Sequence, residues 1–171
     1  MDKRLIYATC DTDMGWVGIL GSATGLMCVT LPQRLAEEAI QLLGDSVECA
    51  AYAPNIFKDL MARLKSYLDG YEITFPDELD LSSSATAFQR KVWEITRLIP
   101  YGETRSYGRI AEHIGKPRAA RAVGQALGRN PVPFIVPCHR VVTGNGKLGG
   151  FSGGVEMKKH LLWLESANRT K

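Results

Sequence analysis

Three prolines within seven residues make the segment 131–137 the stiffest part of this 171-residue chain. Each proline ring holds the backbone angle φ at about −65°, so Pro131, Pro133 and Pro137 leave the chain between them little freedom. The apolar residues 134–136 require burial, and the Pro-Cys-His sequence that follows ends the apolar run. The sequence therefore predicts that Cys138 lies at the edge of a core, on a backbone that holds it in place.

Cys138 is a candidate nucleophile, because a rigidly held group keeps the rate advantage of proximity. A free thiol has a pKa of about 8.5, so it needs a base to react at neutral pH. His139 is the adjacent candidate. Neighbouring side chains of an extended segment point to opposite faces, however, so a bridging water is the expected proton route. The alternative is a buried, unreactive cysteine, and the motif alone leaves both interpretations open.

The composition, with 45% hydrophobic and 23% charged residues, is that of a globular protein, and the length fits one large domain or two small ones. The four cysteines, at positions 10, 28, 49 and 138, have no CxxC spacing. The sequence thus indicates neither a disulfide framework nor a zinc ribbon. With no signal peptide or membrane span apparent, we expect a cytoplasmic location, associated with the nucleoid in a prokaryote, or a nuclear one in a eukaryote.

Charge is distributed unevenly along the chain, although the net charge is only +3. Residues 1–100 carry 9 Lys and Arg against 14 Asp and Glu, whereas residues 101–171 carry 12 against 4. A basic second part is typical of a protein that meets a polyanion through that part alone. A solvated basic face is the alternative that charge leaves open.

Two domains are predicted, residues 1–80 and 85–171, joined by the polar, acidic and serine-rich linker 77–84. The first domain is interpreted as a small α/β scaffold. Its three strands form an antiparallel meander and two helices follow, at residues 5–10, 15–20, 26–31, 35–43 and 55–68.

The second domain is predicted to be mainly helical. Thr86 and Gln89 have the spacing of a capping box at the start of its first helix. Ser106 is the expected cap of the next helix, at residues 107–114, and Pro117 precedes a third, at residues 118–127. This pair fits a helix-turn-helix, although similar pairs occur in ordinary cores.

The helix at 118–127 has almost no bulk, because its small residues are Ala119, Ala120, Ala122, Gly124 and Ala126. Arg118, Arg121 and Arg129 supply positive charge around them. Small residues allow close approach to another surface, so a nucleic-acid groove and tight helix packing are equally good interpretations.

Two features follow the central cysteine. Four glycines surround Phe151 and Ser152 in residues 149–154, a pattern that permits close approach of the backbone to a ligand. A last helix is predicted at residues 155–164. Glu165 then falls at its C-terminal end, where the helix dipole disfavours a carboxylate. A histidine partner would explain that position, and an exposed Glu without a role is the alternative.

In combination, these motifs resemble the O6-alkylguanine-DNA alkyltransferase family, whose members repair alkylated DNA by direct reversal. The resemblance runs from about Phe88 to Glu165 in the family's order and spacing. It is carried by Ser106-Tyr107, by residues 119–124 and 130–133, by Pro137-Cys138-His139-Arg140-Val141, by Ser152-Gly153-Gly154, and by Leu161-Leu162 with Glu165.

The resemblance implies an α+β fold in which a small ribonuclease-H-like α/β domain precedes a mainly helical domain with a winged-helix-like helix-turn-helix. It implies a methylated-DNA–[protein]-cysteine S-methyltransferase that flips O6-alkylguanine, and also O4-alkylthymine, out of duplex DNA. The alkyl group passes irreversibly to the protein in a single turnover. The implied partner is double-stranded DNA bound through the minor groove by a monomer, with no cofactor and no membrane association.

The resemblance also implies catalytic roles. Cys138 takes the alkyl group, His139 removes the thiol proton through a water, and Glu165 orients His139 and balances its charge. Asn130 hydrogen-bonds around the active-site turn.

For the substrate, Tyr107 contacts the flipped base and the carbonyls of Cys138 and Val141 accept its exocyclic amine. Phe151 is an apolar wall, and Ser152, beside Gly153, faces the O6 atom. Arg121 fills the gap left in the duplex. The other implied DNA-binding residues are Ser106, Arg118, Ala119, Ala120, Ala122 and Gly124.

Two departures from the family pattern bear on these expectations. Some members bind a structural zinc through N-terminal Cys and His, but Ser22 and Met27 stand near those positions here, so no metal is expected. Phe151 replaces a common tyrosine, which removes a hydroxyl and keeps the apolar wall.

Three other classes fit less well. A non-catalytic relative that binds alkylated DNA has another residue in place of Cys138. A zinc deaminase needs a second cysteine three residues after the first, where Val141 stands. A thiol hydrolase needs a water-accessible acyl-enzyme site, and nothing in the sequence suggests one.

Overall fold

The fold is a mixed α+β arrangement, observed in a computed structural model that describes residues 4–81 and 85–167. Its strands are β1 (Ile6–Thr12), β2 (Gly15–Ser22), β3 (Gly25–Val29), β4 (Ala51–Tyr52), β5 (Arg105–Ser106) and β6 (Val141–Val142). Its helices are α1 (Ala36–Leu42), α2 (Lys58–Leu68), α3 (Ala87–Arg97), α4 (Tyr107–His113), α5 (Ala120–Gly128) and α6 (Val155–Ala167).

The chain divides into two compact units, residues 1–83 with 131–133, and residues 84–130 with 134–171. The sequence does not indicate that residues 131–133 join the first unit. There the amide of Val29 donates to the carbonyl of Pro131 at 2.8 Å. The second unit is therefore interrupted by three residues just before its active-site segment.

The first unit is built on a four-stranded sheet in the order β3-β2-β1-β4. β1, β2 and β3 form the predicted antiparallel meander, and β4 pairs parallel to β1. Helix α2 buries Leu60, Leu64, Tyr67 and Leu68. After α2 ends, the chain turns at Gly70, where φ is +95°, a value that glycine adopts without strain.

The boundary between the two units falls within the predicted linker 77–84, but residues 77–81 of that linker are hydrogen-bonded or buried in the first unit. Asp77 accepts a two-pronged hydrogen bond from Arg63, and the backbone of Leu26 exchanges hydrogen bonds with Glu78 and Asp80. Leu81 is buried in the same unit. A polar composition suggested exposure, but here the carboxylates have partners within the unit. Residues 82–84 of the predicted linker lie outside the described residues.

Helices α3 and α4 begin where the local signals predict, whereas α5 begins at Ala120, two residues after the predicted start at residue 118. Thr86 and Gln89 form the capping box, and the Ser106 hydroxyl accepts from the amide of Arg109 at 3.1 Å. Trp93 donates its indole N–H to the carbonyl of Ala126 at 2.9 Å, which fixes α3 against α5. Helix α6 extends to Ala167, beyond the predicted end at residue 164. None of the helices within residues 4–81 and 85–167 is long and apolar enough to span a membrane.

Candidate active site

Cys138 is presented by a tight turn and not by the extended segment that the sequence analysis assumed. Pro137 has φ −78° and ψ 65°, the angles of an inverse γ-turn, so the Cys138 amide donates to the Val136 carbonyl at 2.8 Å. A single 3₁₀ turn, Cys138–Arg140, follows. The Asn130 side chain donates to the same Val136 carbonyl at 2.9 Å. These bonds hold the turn that carries the thiol.

The Cys138 thiol is protonated at rest. Only 6% of the residue is exposed, and this burial raises the pKa of the thiol above its ordinary value. A hydrogen bond from Asn130 and the charge of Lys158 oppose that rise without cancelling it. The thiol therefore has to lose its proton within the site if it is to act as a nucleophile at neutral pH.

His139 is paired with Glu165. The Nε2 atom of His139 lies 2.7 Å from Oε1 of Glu165, and both side chains are 1% exposed. Burial lowers the pKa of the imidazole, so His139 is neutral and can accept a proton at its other nitrogen. Glu165 lies in the last turn of α6, where the helix dipole disfavours a carboxylate, and the histidine partner that would explain this position is present.

Glu165 is held as a carboxylate by donors from three residues. Besides His139, it accepts from Arg140 at 3.0 to 3.1 Å and from the backbone amide of Gly102 at 3.0 Å. Burial would raise the pKa of Glu165, but the bonds from His139 and Arg140 outweigh it and lower that pKa to about 2. The carboxylate is thus a permanent acceptor for the His139 N–H.

A cavity of about 780 Å³ lies in front of the thiol. Its size is sufficient for a nucleobase with a substituent. Of the residues predicted from the sequence, Ser106, Tyr107, Ala120, Arg121, Gly124, Cys138, Phe151 and Ser152 line it. The loop after β6 closes one side with glycines. At one of them, Gly149, an added Cβ would lie 2.7 Å from the hydroxyl oxygen of Tyr107, so only glycine fits there.

Comparison with known proteins identifies the family. The family model described as 6-O-methylguanine DNA methyltransferase, DNA binding domain, matches residues 87–167. The methylated-DNA–protein-cysteine methyltransferase of Methanosarcina acetivorans is 38% identical over 163 residues, which are 95% of this chain and 99% of that protein. The chain belongs to the methylated-DNA–protein-cysteine methyltransferase family. This result confirms both the resemblance and the enzyme class.

Other relatives agree with that assignment. The family member of Mycolicibacterium paratuberculosis is 53% identical over 112 residues, 66% of this chain and 67% of that protein. The crystal structure of Mycobacterium tuberculosis OGT in complex with DNA has a TM-score of 0.80 and 40% identity, over 95% of this chain and 93% of that one. The O6-methylguanine-DNA methyltransferase of Pyrococcus kodakaraensis has a TM-score of 0.72 and 27% identity, over 94% and 99%.

In this member of the family, helix α5 lies beside the cavity. Arg121 is exposed and lines the cavity, with Ala120 and Gly124 on the same helix. An added Cβ at Gly124 would lie 3.5 Å from the Tyr107 ring, which is an ordinary van der Waals contact, so the ring lies next to this part of α5. The remaining predicted DNA-binding residues of this region, Arg118, Ala119 and Ala122, do not line the cavity.

Two predicted substrate residues occupy other positions. Gly153 is exposed and does not line the cavity. Val141 is buried, and its carbonyl already accepts a hydrogen bond from Lys158 Nζ at 2.6 Å. A carbonyl oxygen has two lone pairs, so an exocyclic amine could occupy the second one.

Lys158 is a site residue that the sequence analysis did not find. It is completely buried on α6, and its ammonium donates to the carbonyls of Val141 and Gly150 at 2.6 and 3.2 Å. The same nitrogen lies 3.5 Å from the Tyr107 hydroxyl. Burial lowers the pKa of Lys158 to about 8. The spacing 158–161–165 puts Lys158 on the helix face that carries Glu165, which is a signal the sequence did contain.

Proposed function

We propose that this protein flips O6-alkylguanine out of duplex DNA and transfers the alkyl group irreversibly to Cys138 in a single turnover. The observation that carries the proposal is the buried thiol at the cavity, backed by the His139–Glu165 pair. Arg121 and Tyr107 line the same cavity. O4-alkylthymine, whose alkylated oxygen is equivalent, is a further proposed substrate.

The proposed reaction uses the protonation states of the free protein. His139 takes the thiol proton through a water, and sulfur attacks the alkyl carbon. The carbon–oxygen bond of the base breaks as the sulfur–carbon bond forms, the leaving base takes a proton from water, and His139 afterwards returns the thiol proton to water. Glu165 stabilises the imidazolium that results. The product is a thioether, which water does not hydrolyse at a useful rate, so each protein molecule acts once.

Substrate recognition is proposed to follow the family pattern. Tyr107 packs against the flipped base, and the Cys138 and Val141 carbonyls accept its exocyclic amine. Phe151 forms the apolar wall for the alkyl group, and Ser152 approaches the O6 atom. Lys158 supports this arrangement, because its ammonium fixes the Val141 carbonyl and stands beside the Tyr107 hydroxyl.

For DNA, we propose that α4 and α5 act as a winged-helix-like helix-turn-helix with α5 in the minor groove. The short connection between these helices and the small residues of α5 support it. Flipping a base costs a few kcal/mol, and an arginine inserted in the stack offsets part of that cost. We further propose a monomer in the cytoplasm. For the first unit, three antiparallel strands and a fourth parallel to β1 support a ribonuclease-H-like domain.

The test of the proposed function is incubation with a duplex that contains one O6-methylguanine, followed by mass analysis of peptides. We expect one methyl mass per protein molecule, on the peptide that carries Cys138. Unmodified protein with intact O6-methylguanine would end the proposal. Comparable modification of Cys10, Cys28 or Cys49 would show nonspecific alkylation.

Replacing Arg121 by alanine should slow repair of duplex DNA by about tenfold or more, because extrusion of the base costs a few kcal/mol. The same variant should react almost normally with free O6-methylguanine base, which needs no flipping. The measurement is the single-turnover rate on both substrates, at low and at moderate salt.

The matched control is Arg118→Ala, which removes an exposed arginine outside the cavity. When a phosphate contact is removed, low salt restores the repair rate. For Arg118→Ala we expect either this behaviour or no loss of rate. The Arg121 variant should stay slow at low salt even when DNA binding is saturated. Equal losses on duplex and free base would place Arg121 in the active-site scaffold instead.

A further inference from the structure

Arg140 is a buried charge next to the catalytic residues. Arg140 is only 7% exposed. Its guanidinium donates three hydrogen bonds to Glu165, two from Nε to the two carboxylate oxygens and one from Nη2 to Oε1. Its Nη1 donates to the Ile99 carbonyl at 2.7 Å, and the group lies over the Tyr101 ring at 5.7 Å. Arg140 is therefore fixed on several sides.

The net charge of Arg140, Glu165 and His139 affects how readily His139 takes up a proton. An arginine in a protein does not lose its proton, so Arg140 contributes a constant positive charge. It balances the Glu165 carboxylate whatever His139 does. A proton added to His139 therefore leaves a net positive charge in a buried site, which is unfavourable. Without Arg140, the same proton would neutralise the carboxylate.

We propose that Arg140 is a positioning residue whose fixed charge keeps the His139–Glu165 pair from binding an extra proton at neutral pH, so that His139 remains free to accept the Cys138 proton. The proposal rests on the proposed function, because the base has a role only if Cys138 reacts. The contacts that carry it are the three Arg140–Glu165 hydrogen bonds and the 2.7 Å His139–Glu165 contact.

The groups around His139 other than Glu165 and Arg140 either disfavour its protonated form, as Arg140 does, or keep the same charge in all the variants compared. Lys158, which shares α6 with Glu165, is a second positive charge that opposes the imidazolium. The turn after α3 contributes the Ile99 carbonyl, the Gly102 amide and the Tyr101 ring, and the first two do not titrate. Cys138 is a neutral thiol at rest. The comparison of Arg140 variants keeps all of these groups in place.

The test is an NMR pH titration of the His139 imidazole in the wild type, Arg140→Gln and Arg140→Lys. In the Gln variant, we expect the pH midpoint at which the pair takes up a proton to rise by about one unit or more, the usual effect of one close charge. The Lys variant retains the charge and should stay close to the wild type. His113→Gln and His160→Gln assign the other two imidazole signals.

Single-turnover rates on O6-methylguanine duplex should follow the same pattern. The acid limb of the Gln variant should move to higher pH, and its rate should recover above that limb. The proposal would be overturned if the rate fell by the same factor at every pH and the His139 midpoint did not move. That result would mean that Arg140 only supports the fold. A Lys variant shifted as far as the Gln variant would overturn it too.

A second pair of variants covers the case in which Arg140→Gln does not fold. The two variants are Glu165→Gln and the double variant Arg140→Met/Glu165→Gln. Both lack the Glu165 carboxylate, and only the first keeps the Arg140 charge. The His139 midpoint should be higher in the double variant, and an equal or lower midpoint contradicts the proposal. Because these titrations use no substrate, a wild type that fails to transfer alkyl groups would end the proposed function and leave this test intact.

Discussion

Cys138→Ala should abolish alkyl transfer at every pH while it leaves binding of alkylated duplex close to that of the wild type. The substitution removes the sulfur and keeps the backbone turn that Pro137 and Asn130 hold. The other cavity walls, which include Tyr107 and Arg121, are unchanged. The measurements are transfer of a labelled methyl group, DNA affinity by gel shift, and thermal unfolding.

Cys10→Ala is the matched control, because Cys10 is also buried, at 2% exposure, and burial also raises the pKa of its thiol. It lies on β1 in the first unit, where Met61 is its hydrogen-bond partner. Transfer in this variant should equal that of the wild type. Residual transfer by Cys138→Ala, or an alkyl mass on another cysteine, would remove Cys138 from its proposed role.

The parts of the fold that the sequence predicted well depend on residues close together in the chain. The capping box of Thr86 and Gln89 and the Ser106 cap each involve groups three residues apart, so their composition and spacing suffice. The antiparallel meander follows from short turns between neighbouring strands in the same way. In these places the local preference and the final structure agree.

The hydrogen bonds of the predicted linker could not be predicted, because its partners are distant in sequence. Asp77 binds Arg63, and Asp80 accepts hydrogen bonds from the hydroxyls of Ser22 and Thr24. A row of carboxylates and serines has the composition of an exposed connection. Only the tertiary structure supplies the donors that allow the carboxylates to be buried.

The candidate site was predicted through its motif, and its two additional buried charges were not. Lys158 and Arg140 belong to residue types that are nearly always exposed, so composition predicts a surface position for both. Their burial requires the Val141 and Gly150 carbonyls for the first and the Glu165 carboxylate for the second. Those acceptors come together only when α6 packs against the turn that holds Cys138.

The second large effect concerns the proton route from Cys138. We expect His139→Ala and Glu165→Gln each to slow transfer by roughly 10²- to 10⁴-fold, the usual contribution of general acid–base catalysis. The reason is the resting state of the thiol, whose pKa is raised by burial. If the two residues act as one unit, the double variant should be little slower than the slower single variant.

The pH dependence of the His139→Ala variant gives an independent measurement. Because the pKa of the Cys138 thiol lies above its ordinary value, the thiolate is a minor species at neutral pH. Its fraction grows by about tenfold per pH unit until the pKa is passed. The rate of the variant should therefore climb with pH over that range. The wild type, whose base is already neutral, should change much less above neutral pH.

Folding has to be separated from chemistry in the Glu165 variant. Glu165→Gln leaves the buried Arg140 charge unpaired, a change that costs about 3–5 kcal/mol of stability. Rates should therefore be measured well below the unfolding temperature of that variant. Glu156→Gln, an exposed position on the same helix, is the matched control and should keep full activity and stability. Fully additive losses in the double variant would give His139 and Glu165 independent roles, whereas unchanged rates in both single variants would require another base for Cys138.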